Sequence, residues 1–274
     1  MRIYISADIE GIAPVVSRDQ LMPGKFEYES ARDWMTDAVL AACETARDMG
    51  AESIVVSDSH GNGENIRPER MPAYVQLVRS WPRPLGMMQG IEYGHFDGVL
   101  LLGYHAGGSN PAGTLAHTMS GEFIHEVRLN DVVVPEAGIS AAIAGHFGVP
   151  VLMLAGDDVA VEEAAALLGH ISTVTLKTST GWLSAIVPPP EEVQRRLCEG
   201  VREALQGIRQ MRPYVLQGPI TLEIRLRTRM LAEWLALVDS IERVDAYTIR
   251  YRAQDMIGIS RFLMFLTCTR KALE

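Results

Sequence analysis

Arg2-Ile3-Tyr4-Ile5-Ser6-Ala7-Asp8-Ile9-Glu10-Gly11 opens the chain with an apolar run that stops at two carboxylates. A short continuous apolar run bounded by turn residues reads as a buried strand, here over 3–7. A second such run, Ser53-Ile54-Val55-Val56-Ser57, follows at a distance that leaves room for one helix. That helix is expected to start near Ser30, with Asp33 completing a capping-box-like S-x-x-D. It continues through Trp34, Ala38, Ala41, Thr45 and Met49 to a stop at Gly50. Strand, helix, strand at this spacing is a right-handed β-α-β unit, which implies a parallel sheet with helices on its faces.

Working outward, 98–103 and 149–155 repeat the buried-strand pattern, and helices are expected over 136–146 and 158–168. The stretch 115–134 alternates with period two and is rich in turn residues, which predicts hairpin-like strands adjoining the sheet. Pro188-Pro189-Pro190 is the clearest break, since prolines donate no backbone bond and disfavour helix before them. The expected organisation is a main α/β domain over 1–187 and a smaller C-terminal α+β part over 191–274, with a soft boundary at the proline run. The second part is expected to hold an amphipathic helix over 191–208, strands over 220–226 and 243–251, and a closing apolar helix over 255–269. The fold class is therefore α/β: a mostly parallel sheet with helices on both faces, plus this smaller part.

The whole chain of 274 residues is long enough for a sizeable core, with 47% hydrophobic and 22% charged residues. A net charge of -9 argues against a nucleic-acid partner, which calls for a basic face. Cys43, Cys198 and Cys268 form no C-x-x-C pair, so neither a disulfide framework nor a thiolate zinc site is expected, and a reducing cytoplasm fits. The first residues lack the form of a signal peptide, and no apolar run approaches the roughly 20 residues that span a bilayer. Nucleotide binding is set aside as well: Gly107-Gly108 is not part of a G-x-G-x-x-G or G-x-x-x-x-G-K-[ST] motif.

Chemistry gathers at the strand ends. Asp8 and Glu10 are two apart, so an extended backbone turns both carboxylates to one face. His60 follows the second strand in Asp58-Ser59-His60, and His105 follows the third in Gly103-Tyr104-His105. The carboxyl edge of neighbouring parallel strands is where open α/β sheets bind ligands. Imidazoles with carboxylates and no thiolate suit zinc, with manganese or cobalt as alternatives. The donors exceed what one zinc needs, which points to two ions about 3.5–4 Å apart bridged by a carboxylate. Asp58 is read as an acceptor that orients an imidazole, and Asp158 as a helix cap. His125 and His146 are read as structural.

Ser6-Ala7-Asp8-Ile9-Glu10-Gly11, Asp58-Ser59-His60, Leu102-Gly103-Tyr104-His105-Ala106, His117-Thr118-Met119, Glu136-Ala137-Gly138 and Gly156-Asp157-Asp158 carry a wider likeness. Over nearly its whole length the chain resembles the bacterial dinuclear-zinc D-aminopeptidases, which are self-compartmentalised metallopeptidases. The resemblance implies that Asp8 bridges two zinc ions per subunit, with Glu10 and His105 completing one shell and His60 and Glu136 the other. It also implies His117 as the catalytic histidine. Glu136 would otherwise be read as a first-turn acid favoured by the helix dipole. The implied activity is release of an N-terminal D-amino acid such as D-alanine from short peptides, by a water that two metals activate. The implied assembly is a ring-like homo-oligomer, a decamer. A dinuclear phosphoesterase and a non-catalytic metal-stabilised binding protein are the alternatives.

Overall fold

In the computed structural model, which describes residues 1–273, the opening unit runs β1 (Arg2–Ala7), α1 (Tyr28–Asp48) and β2 (Ser53–Asp58), followed by β3 (Val75–Val78) and β4 (Gly98–Tyr104). The chain continues through β5 (Ile124–Leu129), β6 (Val132–Val133), α2 (Glu136–His146), β7 (Val151–Asp157), α3 (Asp158–Leu168), β8 (Ser172–Gly181) and β9 (Ser184–Ile186). It closes with α4 (Pro190–Gln206), β10 (Ile220–Leu226), α5 (Arg229–Leu235), β11 (Ile241–Arg243), β12 (Thr248–Ala253) and α6 (Met256–Leu273).

Seven strands form one sheet in the order β3-β2-β1-β4-β7-β8-β9, parallel throughout except where β9 folds back on β8. Its faces follow from strand alternation. Ile3, Ile5, Ala7, Ile54, Val56, Leu100 and Leu102 pack into one core with α1 and α4. Tyr4, Val55, Val99 and Leu101 point the other way, into a core with α2, α3 and α6. Helices therefore cover both faces, as the near-continuous apolar runs require. The connections leave β1 toward β2 and β3 on one side and pass through β4 to β7 and β8 on the other, so β1 and β4 flank the switch point of the sheet.

Some local expectations are corrected. The strands expected in 115–134 are confined to β5 and β6, and they do not join the main sheet. They enter a five-stranded antiparallel sheet ordered β11-β12-β10-β5-β6. The reason is packing: Ile124, Val127 and Leu129 share a core with Ile220, Leu222 and Ile224 of β10. Helix α1 starts at Tyr28, earlier than the S-x-x-D pattern suggests, because the buried Tyr28 side chain anchors it by a 2.9 Å hydrogen bond to Asn65 Oδ1. Asp33 caps nothing and pairs instead with Arg67 at 2.8 Å. After the proline run, α4 packs on α1 and β8. No helix among the described residues is long and apolar enough to cross a membrane.

Two glycines let the strand ends meet. Asp8 N donates to Leu102 O and Gly11 N to Gly103 O, both at 2.8 Å, so the chain beyond β1 lies directly on the end of β4. A Cβ at Gly11 would sit 2.0 Å from the Tyr104 carbonyl oxygen, and one at Gly103, where φ is +72°, would sit 2.2 Å from that of Asp8. Backbone cannot retreat as a flexible side chain does. Gly11→Ala is therefore expected to destabilise the fold by about 3 kcal/mol or more, read as a lowered urea midpoint at unchanged slope.

Candidate metal centre

Strand β1 has β2 on one side and β4 on the other, and its carboxyl end is knitted to both. Ser59 N donates to Ala7 O at 2.8 Å, which matches the Asp8 bond to β4. The three strand ends thus stop at one level, and the next residues out are Asp8 and Glu10, His60, and His105. Beneath them the Tyr104 hydroxyl bonds Ser6 Oγ at 2.7 Å and Ser140 Oγ at 3.1 Å, tying β1 and β4 to α2. Helix α2 begins at Glu136, so its first side chain arrives at the same place.

All five residues expected as ligands come together. His60 Nδ1 lies 2.9 Å from Glu10 Oε2 and 3.4 Å from Asp8 Oδ1. His105 Nε2 lies 3.6 Å from Asp8 Oδ2 and 3.5 Å from Glu136 Oε1. Asp8 belongs to two three-residue groups of donors, one with Glu10 and His60 and one with His105 and Glu136. Glu10 and His105 meet in a third group with His117. The shared position of Asp8 suits a bridge, whereas the two closest groups cross the shells that the resemblance implies.

The three imidazoles are wired alike. His60 Nε2 contacts the Leu21 carbonyl, His105 Nδ1 that of Ala106 and His117 Nδ1 that of Leu115, each at 2.9 Å. A carbonyl accepts only, so each of these nitrogens carries the proton and the other faces the carboxylates. Anchoring of the far nitrogen is the usual arrangement behind a metal-ligating histidine. His105 Nε2 is buried without any hydrogen-bond partner. No Lys or Arg among the described residues pairs with Asp8, Glu10 or Glu136. A cluster of buried carboxylates and inward nitrogens of this kind fits a divalent cation.

Titration follows the crowding. Burial and then the Glu10 charge push the Asp8 carboxyl up to about 8. Burial opposes a cation at His105, yet Glu136, Glu10 and Asp8 outweigh it and lift that imidazole to about 10. At His60 burial is likewise overcome, chiefly by Glu10. His117 behaves differently: burial and the neighbouring His105 hold it below the ordinary value, which keeps it neutral near pH 7.

His117 stacks on His105 with centroids 4.1 Å apart and planes 9° from parallel. Its Nε2 is 3.8 Å from Glu10 Oε1 and 3.7 Å from Glu136 Oε1. Leu115 (φ 54°) and Met119 (φ 61°) flank it in the left-handed region, a conformation costly for branched or bulky residues. Outside bonds hold them there: Leu115 N donates to Trp182 O at 2.7 Å and Met119 N to Glu136 Oε1 at 2.6 Å.

Two second-layer readings change. Asp58 does not orient an imidazole; it accepts from Asn65 N, Asn65 Nδ2 and Ile66 N at 2.6–2.8 Å and so holds the loop that carries His60. The cap of α3 is Asp157, which accepts from Ala160 N at 2.9 Å, while Asp158 accepts from Ser179 N. Lys177, which sequence reasoning missed, is fully buried and donates to the carbonyls of Glu10, Ile12 and Val15. No motif marks it, since 172–181 gave no strand signal that would have placed it under the site.

Asp8, Glu10, His60, His117 and Glu136 open into a cavity of about 680 Å³ whose apolar wall includes Trp81, Met87, Met119, Phe123 and Met264. Glu122 also lines it, and no Lys or Arg does among the described residues.

Residues 1–265 match the model of a peptidase family described as D-aminopeptidase. The chain is 31% identical over 271 residues to the D-aminopeptidase of Bacillus subtilis (strain 168), covering 97% of each. A solved structure, the Zn-dependent D-aminopeptidase DppA from Bacillus subtilis, a self-compartmentalizing protease, superposes with a TM-score of 0.92 at 30% identity, covering 98% of this chain and 97% of that one.

Proposed function

The chain belongs to the D-aminopeptidase family, and from that premise we propose that it is a zinc-dependent aminopeptidase releasing N-terminal D-amino acids such as D-alanine from short peptides. The observation that carries this reading is the convergence of Asp8, Glu10, His60, His105 and Glu136 at the switch point, with His105 Nε2 buried and unpartnered. These five would hold the zinc, with Asp8 shared between two ions. When bound, the metal polarises the scissile carbonyl and lowers the pKa of the attacking water toward neutrality.

The chain's own residues supply the rest. His117, neutral and aimed into the cavity, takes a proton from the water at Nε2, and the imidazolium so formed then donates toward the developing oxyanion. The Leu115 carbonyl at Nδ1 and the stacked His105 ring keep its Nε2 facing the reacting centre. Glu122 lines the same cavity, where a carboxylate suits the ammonium of a free peptide N-terminus. A phosphate ester calls for basic residues, and no Lys or Arg among the described residues lines this cavity.

We also place the protein in the cytoplasm, a reading supported by three free cysteines. A ring-like decamer with its sites facing an inner channel is supported by the self-compartmentalizing relative. Exposed apolar side chains such as Trp182, Ile186, Trp234 and Leu237 are available for subunit contacts.

Metal analysis of the purified protein, with matched D- and L-aminoacyl p-nitroanilides as substrates, tests the central reading. Two zinc ions per chain and D-selective release are expected. Activity that persists after exhaustive chelation refutes the metal mechanism, and L-selectivity refutes the D-peptide reading. Light scattering checks the assembly: a mass ten times that of the chain is expected, and a monomer excludes the ring.

A further inference from the structure

Lys177 sits near the middle of β8 with no exposed surface, and nothing in the proposed chemistry uses it. An ammonium has three donors, and all three are taken by main-chain carbonyls of a single segment, those of Glu10, Ile12 (3.0 Å) and Val15. The segment turns its carbonyls inward around the cation through two tight turns, Ile12 N to Ile9 O at 3.1 Å and Val15 N to Ile12 O at 3.0 Å. Burying an ammonium costs several kcal/mol even after relaxation, a cost that an apolar side chain of similar length does not impose.

Its surroundings connect it to the site. Asp157 faces Lys177 across the β7–β8 pairing, is fully buried, and leaves Oδ2 without a hydrogen-bond partner. Burial pulls the ammonium down to about 8, and the charges of Asp157 and Glu10 work to keep it protonated. Glu10 is therefore gripped at two points: its carbonyl by Lys177, and its carboxylate by His60 Nδ1 at 2.9 Å. The backbone at residue 10 is not part of any strand or helix. The clamp adds a fixed point on the main chain at residue 10 to the contacts that reach its carboxylate and to the Asp8 and Gly11 bonds with β4.

We propose that Lys177 is a positioning residue for the metal centre, its ammonium clamping the 10–15 turn so that Glu10 and, through it, Asp8 present their carboxylates to the metal. The inference rests on the metal-centre reading above. Removing such an outer support typically costs about 10–100-fold in metal affinity.

The test is zinc competition on the holoenzyme. Wild type and Lys177→Met, both loaded with zinc, are titrated with a chromophoric chelator well below their unfolding temperatures, with circular dichroism recorded on the same samples. Lys177→Met is expected to keep its fold and to yield at least one zinc at an affinity about 10–100-fold weaker than wild type. If Lys177→Met does not fold, Lys177→Gln, which keeps N–H donors without charge, is read by the same criterion. Wild-type zinc affinity in a folded variant, whatever its melting temperature, overturns the proposal. Failure of both variants to fold also overturns it and assigns Lys177 to the core alone. A wild type that holds no zinc defeats the metal reading and this inference together, whereas a wild type with two zinc ions and unaltered variants defeats only this inference.

Discussion

Asp8→Asn is expected to abolish hydrolysis, lowering kcat/KM by on the order of 10³ or more, and to abolish the rise in melting temperature that zinc gives the wild type. Asp8 joins two of the donor groups, with Oδ1 toward His60 and Oδ2 toward His105. An amide at this position matches the carboxylate in size but offers a single, weaker acceptor, so neither ion keeps its shared ligand. Without zinc the substitution has the opposite sign. With its carboxyl pushed up to about 8 by burial and Glu10, metal-free Asp8 must take up a proton near pH 7 that the unfolded chain does not hold, a cost that an amide does not bear. The chelated variant should thus melt at or above the temperature of the chelated wild type. Differential scanning calorimetry with and without zinc checks both signs, and a variant that still gains stability from zinc would show that Asp8 is not a shared ligand.

His117→Ala is expected to separate binding from turnover. Zinc content and fold should stay as in wild type, while kcat falls by about 10²–10⁴-fold with little change in KM, the range for loss of a positioned general acid or base. His117 belongs to neither of the two groups that share Asp8, and its side chain is 21% exposed toward the cavity, so truncation removes no core. Steady-state kinetics on a D-alanyl anilide, with zinc analysis of the same sample, makes the measurement. Retained activity with a lowered melting temperature would return His117 to a structural role.

The division between what can and cannot be read from the chain follows the range of the forces involved. Strand period, helix period and turn chemistry are local, so the β-α-β opening, the two-sided burial of the sheet and the convergence of Asp8 with Glu10 all follow from residues close in sequence. His60 and His105 belong with them, because strand ends in a parallel sheet must lie at one edge. Glu136 and His117 had no local signal: a glutamate in the first turn of a helix and a histidine in a turn-rich stretch have ordinary readings, and only likeness to a family singled them out. Their place at the site depends on α2 and the loop before β5 being carried over the edge of the sheet, which is a matter of packing between layers.

The second sheet and Lys177 lie further still from local reach. β5, and β6 through it, join the second sheet by pairing with β10 about ninety residues later, an approach also seen in the Thr221 N to Asn130 Oδ1 bond with its separation of 91. No short-range pattern encodes a partner at that distance. Lys177 carries no signal in the sequence, and only the fold closes the 10–15 turn around it. By itself the sequence therefore determined the four central strands of the sheet, its ligand-bearing edge and four of the five proposed metal ligands. Tertiary structure alone decided the antiparallel layer, the stacking of His117 on His105 and the buried ammonium beneath Glu10, because those depend on the free energy of packing segments that meet only once the chain has folded.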